Sequence, residues 1–148
     1  MKNMKYDVIG LVTLAGSFLF TNVAIADQYT DSIKVQLMAI ALEVLGGNYQ
    51  PTHEPIIDEL NDNEVDYHYL SLEEGVEYGI VAVCDQDCTD VDLWLYDENN
   101  NLIDEDTDTD DYPLVTVSPQ WTGDFKVKVK MYDCDASYCN YGVAIFGR

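Results

Sequence analysis

Residues 84–101 read CDQDCTDVDLWLYDENNN, and the reading of this stretch decides the fold. Two cysteines four positions apart open it, with aspartates at 85, 87, 90 and 92 around them. From Val91 to Tyr96 apolar and other residues alternate, which is the period of a strand with one buried face. Val91, Leu93 and Leu95 then share one side, and Asp92, Trp94 and Tyr96 the other. The run ends in Asp97-Glu98-Asn99-Asn100-Asn101, whose residue types suit a tight turn. A cystine, an acidic loop and a core strand therefore share one short segment.

Downstream the same grammar repeats. Short strands are expected at Leu102-Ile103, Leu114 to Val117, Phe125 to Met131 and Tyr141 to Phe146. The third alternates strictly, with Phe125, Val127, Val129 and Met131 inward and Lys126, Lys128 and Lys130 outward. Upstream, Asp66 to Leu72 and Tyr78 to Cys84 read as strands separated by a turn at Glu73-Glu74-Gly75. Asn48 to Asn63 reads as a connector with prolines at 51 and 55, closed by a turn at Asn61-Asp62-Asn63. Strands near ten residues apart with turn chemistry between them predict an all-β, antiparallel β-sandwich or jelly-roll-like domain.

One α-helix precedes it. Asp31 to Leu45 carries two apolar stripes, Ile33, Leu37, Ile40, Val44 and Val35, Met38, Leu42, Leu45. Thr30 or Asp31 caps its start, and Gly46-Gly47 ends it. A helix this apolar needs cover, either from its own sheet or from a second copy or other partner. Further upstream, Lys2 and Lys5 precede an apolar run from Val8 to Phe20, and Ala24-Ile25-Ala26 fits a secretory cleavage site. The expected organisation is a signal peptide over 1–26, helix and connector over 27–54, and the sandwich over 55–148. Cleavage after Ala26 would leave 122 of the 148 residues, one domain in size.

The chain carries 28 acidic and 7 basic residues, a net charge of −21. This excludes nucleic acid, whose phosphates demand clustered Lys and Arg, and opposes docking on anionic membranes. The four cysteines form two close clusters, Cys84/Cys88 and Cys134/Cys139. An exported protein with that pattern is expected to form two disulfides. Of the three possible connectivities the two local ones are preferred. Zinc is the rival use of four cysteines, disfavoured by an oxidising compartment and the lack of a nearby histidine pair.

The phrases CDQDCTDVDLWLYDENNNLID, YPLVTVSPQWTGDFKVKVKMYDC and CNYGVAIFG resemble the bacterial pre-peptidase C-terminal domain family. The matching motifs are D-x-D-L-x-L-Y-D from Asp90 and T-G-x-F-x-V-x-V from Thr122, and the likeness runs from about Pro55 to Gly147. The resemblance implies a non-catalytic β-sandwich of exported proteins, in a family where some collagen-binding relatives hold calcium. No peptidase domain is read within these 148 residues, a departure from the family's usual arrangement.

Catalysis has little support in the residues. His53 sits in the connector and His68 at an inward strand position, and neither adjoins a nucleophile motif. The chain is read as non-enzymatic. Calcium is the best chemical expectation, since it takes six to eight oxygen ligands. The first candidate site is Asp85, Asp87, Asp90 and Asp92 with Asp133 and Asp135. The second is DEDTDTDD over 104–111, which departs from an EF-hand loop at Thr109 and Val115. The functional expectation is a secreted, extracellular or periplasmic, interaction module. Its partner would be an extracellular protein or polysaccharide, or a second copy through the helix. The alternative is an accessory domain for a separately encoded hydrolase.

Overall fold

The computed structural model describes residues 23–148, so the apolar run Val8 to Phe20 lies outside the described residues. Helix α1 spans Val23–Val44 and is followed by nine strands. These are β1 (Gln50–Pro51), β2 (Ile56–Leu60), β3 (Val65–Leu72), β4 (Tyr78–Cys84), β5 (Cys88–Tyr96), β6 (Leu102–Asp106), β7 (Leu114–Val117), β8 (Gly123–Cys134) and β9 (Cys139–Gly147). They form two antiparallel sheets. The first runs β1-β9-β4-β7, with β2 also on β9; the second runs β3-β8-β5-β6. The expected sandwich with one helix is what the chain builds.

The alternating strands do what their period dictates. Phe125, Val127, Val129 and Met131 of β8 and Val91, Leu93 and Leu95 of β5 are buried between the sheets. Strand β4 is buried along its whole length, and β9 along all of it but the half-buried Asn140. They form a middle layer. Ile80, Ala82, Tyr141, Val143 and Ile145 face the second sheet, while Val81, Val83, Ala144 and Phe146 face the helix. Two-sided burial is why these strands read as nearly continuous apolar runs. Among the described residues, the turns expected at Gly46, Asn63, Gly75 and Asn100 are the four places where the backbone takes positive φ, from 62° to 83°.

The helix departs from expectation at its start. It begins at Val23, before the expected cap at Thr30 or Asp31. It packs on β4 and β9, so its own sheet supplies cover for one stripe, and Trp94 and Tyr96 lie on the opposite side of the sandwich. Ile33, Leu37 and Ala41 are its buried line, and Val35, Met38 and Leu42 stay exposed. The register is set by glycine: a Cβ on Gly142 would collide with Ile33 Cγ2 and stand 2.9 Å from Leu37 Cδ1.

The connector over 48–63 is also more ordered than its composition suggests. Gln50 and Pro51 pair with Gly147 and Phe146, and Ile56–Leu60 pairs with Val143–Cys139. Strand β6 extends through Asp106, into the acidic tract. The register places Asp104 and Asp106 opposite the inward residues Leu95 and Leu93. Their carboxylates reach across to β7, where Asp106 Oδ2 accepts the Leu114 N–H at 2.9 Å and Asp104 Oδ2 the Thr116 N–H at 2.8 Å. Donors from β7 thus neutralise the repulsion that makes alternating aspartates poor strand formers.

Aspartate has a further duty at open strand edges. Strands β2, β3 and β6 each have one side without a neighbouring strand. On each, an aspartate side chain accepts the N–H of the next residue: Asp58 from Glu59, Asp66 from Tyr67 and Asp104 from Glu105. A bonded N–H is no longer a template for a foreign strand.

Candidate binding cleft between the cystine loops

Both disulfides are local. Cys84 bonds Cys88 and Cys134 bonds Cys139, with Cα atoms 5.9 Å apart in each. The first closes the loop from β4 to β5 and the second the loop from β8 to β9. The two loops are laced together. Asp85 N–H donates to Asn140 O and Asp135 N–H to Asp87 O, both at 2.9 Å. The buried Asp85 carboxylate accepts the Asn140 N–H at 2.7 Å, its side-chain amide at 2.9 Å, and the Asp87 N–H at 3.2 Å. This aspartate acts as a clamp between the loops.

A cleft of about 700 Å³ opens beside the clamp. Asp85 and Asp87 come from the first loop, Ser137 and Tyr138 from the second, Asp58 and Glu59 from β2, and Tyr29 from the helix. Among the described residues, its lining holds four carboxylates and no Lys, Arg or His. Tyr29 and Tyr138 are about half exposed at its sides. Sequence reasoning found Asp85 and Asp87 but missed Asp58, Glu59 and Tyr29. Asp58 and Glu59 lie in the segment read as connector and are brought here by the pairing of β2 with β9, while Tyr29 lies ahead of the expected helix start and is carried here by the longer helix.

The six aspartates proposed as ligands are dispersed. Asp85 and Asp87 face the cleft, while Asp90 pairs with Asp133, and Asp92 with Lys130, across β5 and β8. Asp135 is exposed in the second loop. Among the described residues, no group of three or more His, Cys, Asp or Glu is arranged to hold a metal ion. One atom stands out: Oδ1 of the buried Asp90 has no hydrogen-bond donor. Burial, then Asp110 and Asp133, push its carboxyl above the usual carboxylate range. Asp92 is raised as well, by burial and then by Asp90.

The histidines are engaged structurally. His68 points inward, opposite Val127. Tyr141 donates its hydroxyl to Asp66 Oδ2 at 3.0 Å, so His68 Nε2, at 2.7 Å, donates to the same phenolic oxygen. Burial foremost, then Asp66, raises the Tyr141 phenol. The trio closes the gap between β3 and β9 and aligns no nucleophile. His53 lies against Thr52 Oγ1 and Ser71 O.

The outer face of the second sheet has a different character. The register sets Tyr67, Lys128 and Trp94 in one row across three strands, and Tyr69, Lys126 and Tyr96 in the next. Lys128 Nζ lies 3.8 Å from the Trp94 ring centre, Lys126 4.8 Å from Tyr96 and 5.4 Å from Tyr67, and Lys130 4.3 Å from Tyr132. Among the described residues the ion pairs are His68–Asp66 and Arg148–Glu77. In a chain with 28 carboxylates, these three ammonium groups rest on rings instead, and Lys126 also donates to Asn100 Oδ1.

Comparison with known proteins adds little. No family model matches the chain, and no curated protein does. Among solved structures, it is similar to the crystal structure of PliG from Aeromonas hydrophila, a periplasmic lysozyme inhibitor of g-type lysozyme. The identity is 8%, over 64% of this chain and 85% of that one, with a TM-score of 0.47.

Proposed function

We propose that the protein is an exported, non-catalytic interaction module that receives a basic side chain of a partner protein in the cleft between its cystine loops. The observation that carries this reading is the lining: four carboxylates, two flanking tyrosines and, among the described residues, no cationic side chain. A lysine or arginine entering there meets opposite charge on several sides and aromatic faces suited to cation–π contact. The net charge of −21 steers basic partners toward the molecule from a distance. The two cystines hold the loops in place before binding, which lowers the entropy lost on association. Two disulfides in one chain also fit an oxidising, extracellular or periplasmic compartment.

The test is calorimetric titration of an arginine- and lysine-rich peptide. Asp58→Asn with Glu59→Gln and Asp87→Asn is expected to weaken binding at least about tenfold, or about 1.4 kcal/mol. All three side chains are exposed, so the fold should be little affected. Binding that is unchanged in this triple variant would sink the proposal.

Calcium is a second reading of the aspartates, and the unpaired Oδ1 of Asp90 favours it. The site would comprise Asp90 and Asp133, with Asp110 adding charge. Without calcium, the raised carboxyl of Asp90 costs stability once ionised. Its favourable contribution is complete below the unfolded pKa, near 3.9, and is lost as pH rises through the higher folded value. Asp90→Asn is therefore expected to stabilise the calcium-free protein at pH 7 by about 1 kcal/mol. Millimolar calcium should raise the melting temperature of the wild type and leave that of Asp90→Asn unmoved. A wild-type melting point indifferent to calcium removes this reading.

A further inference from the structure

We infer that the outer face of the β3-β8-β5-β6 sheet has a second binding function, independent of the cleft: it binds a carboxylated polysaccharide, with the sugar chain lying along β8. Lys126, Lys128 and Lys130 occupy alternate positions of one strand. Their side chains therefore leave the sheet about 7 Å apart, in a straight line. Tyr67 and Tyr69 of β3 form a rail on one side of this line, and Trp94 and Tyr96 of β5 a rail on the other. Tyr69 is 75% exposed and Tyr67 50%. Such rings are rigid, amphipathic tiles that accept the C–H faces of sugar rings.

Charge selects among sugars. The three ammonium groups have no carboxylate partner among the described residues, so an incoming carboxylate displaces no internal ion pair. Asp124 stands outside the Lys126 end of the line, Asp92 lies opposite Lys130 in the register at the other, and Glu105 of β6 stands beyond Trp94. Anionic groups are thus favoured directly over the lysines and opposed past both ends and on the β6 side. The arrangement is linear and repeats along one axis, which suits a linear polymer better than the irregular contour of a globular protein. Nucleic acid is a poor occupant, because three lysines on a chain of net charge −21 release few counterions. At about 0.15 M salt, repulsion from carboxylates more than about 8 Å away is largely screened, so the contacts under the polymer decide.

The test is electrophoresis of the intact protein in native gels containing polygalacturonate, alginate or neutral hydroxyethylcellulose. Retardation is expected in the two polyuronate gels and not in the neutral one. Lys126→Gln with Lys128→Gln and Lys130→Gln, and separately Tyr67→Ala with Tyr69→Ala, should each weaken it at least tenfold. The cleft variant Asp58→Asn/Glu59→Gln/Asp87→Asn should keep it, so this inference and the cleft proposal fail separately. If the lysine triple variant does not fold, Lys128→Gln and Tyr69→Ala as single changes carry the test, each expected to weaken retardation several-fold. No retardation in polyuronate, equal retardation in the neutral glucan, or binding lost only in the cleft variant would each overturn the inference. So would finding that a bound protein, and no polyuronate, shields these tyrosines from chemical modification.

Discussion

Alanine at both Asp104 and Asp106 is expected to cost the fold about 3 kcal/mol and to make it aggregate through β7. Strand β7 is bonded to β4 on one side only. On its other side, the Leu114 and Thr116 N–H groups end on the carboxylates of Asp106 and Asp104. Hydrogen bonds to charged acceptors are worth about 1.5–3 kcal/mol each, with the lower end fitting these partly solvated ones. Truncating both acceptors also opens a strand edge to foreign pairing. Urea unfolding at pH 7 measures the first effect and light scattering at high concentration the second. Asparagine at the same positions keeps an acceptor oxygen and should recover much of the loss. A double alanine variant within 1 kcal/mol of wild type would show that the two carboxylates are ornament.

Valine at Gly142 is the second change with a large expected effect, a loss of about 3 kcal/mol. The helix crosses β9 where Gly142 offers no side chain, and Ile33 and Leu37 fill that space. Ile33 Cγ2 is attached to a branched Cβ and cannot swing aside as the end of a long side chain does. Overpacking of this kind typically costs about 1–3 kcal/mol. The upper end is expected here because lifting the helix also exposes Ile33, Leu37 and Ala41. The helical circular dichroism signal should melt before the β signal in this variant, whereas wild type should lose both together. Gly79 also faces the helix, but the atoms above it belong to the flexible end of Leu45, so alanine there should be milder.

Strands β3, β5 and β8 of the second sheet were legible because each has one wet face, and alternation reports a single buried side, whereas β6 was read only at Leu102-Ile103. Hence β5 and β8 read correctly, down to the outward lysines and the shared side of Asp92, Trp94 and Tyr96. Strands β1 and β2 were not legible. Their partner is β9, at the far end of the chain, and no local pattern in Gln50–Pro51 or Ile56–Leu60 points to it. The two helix stripes look alike in sequence, and only the small residues of β9 say which one docks. Gly142 and Ala144, set between large apolar neighbours, were the available clue. The acidic residues were hardest, because abundance hides role. Asp85 clamps two loops, and Asp97 accepts the N–H groups of Asn99 and Asn101 at 2.8 Å to shape a turn. Sequence placed all of these in one undivided acidic surplus. Half of the cleft's carboxylates come from β2, so the site stayed hidden with that strand.

The bonded N–H groups beside Asp58, Asp66 and Asp104 bear on how the molecule behaves in brine. Repulsion between like-charged bodies fades as electrolyte is added, and many acidic proteins then come out of solution. Short contacts of this kind fade far less, because they act within one residue of their own backbone. The protein should therefore stay dispersed in media salty enough to erase its long-range charge, held apart by the chemistry of its borders.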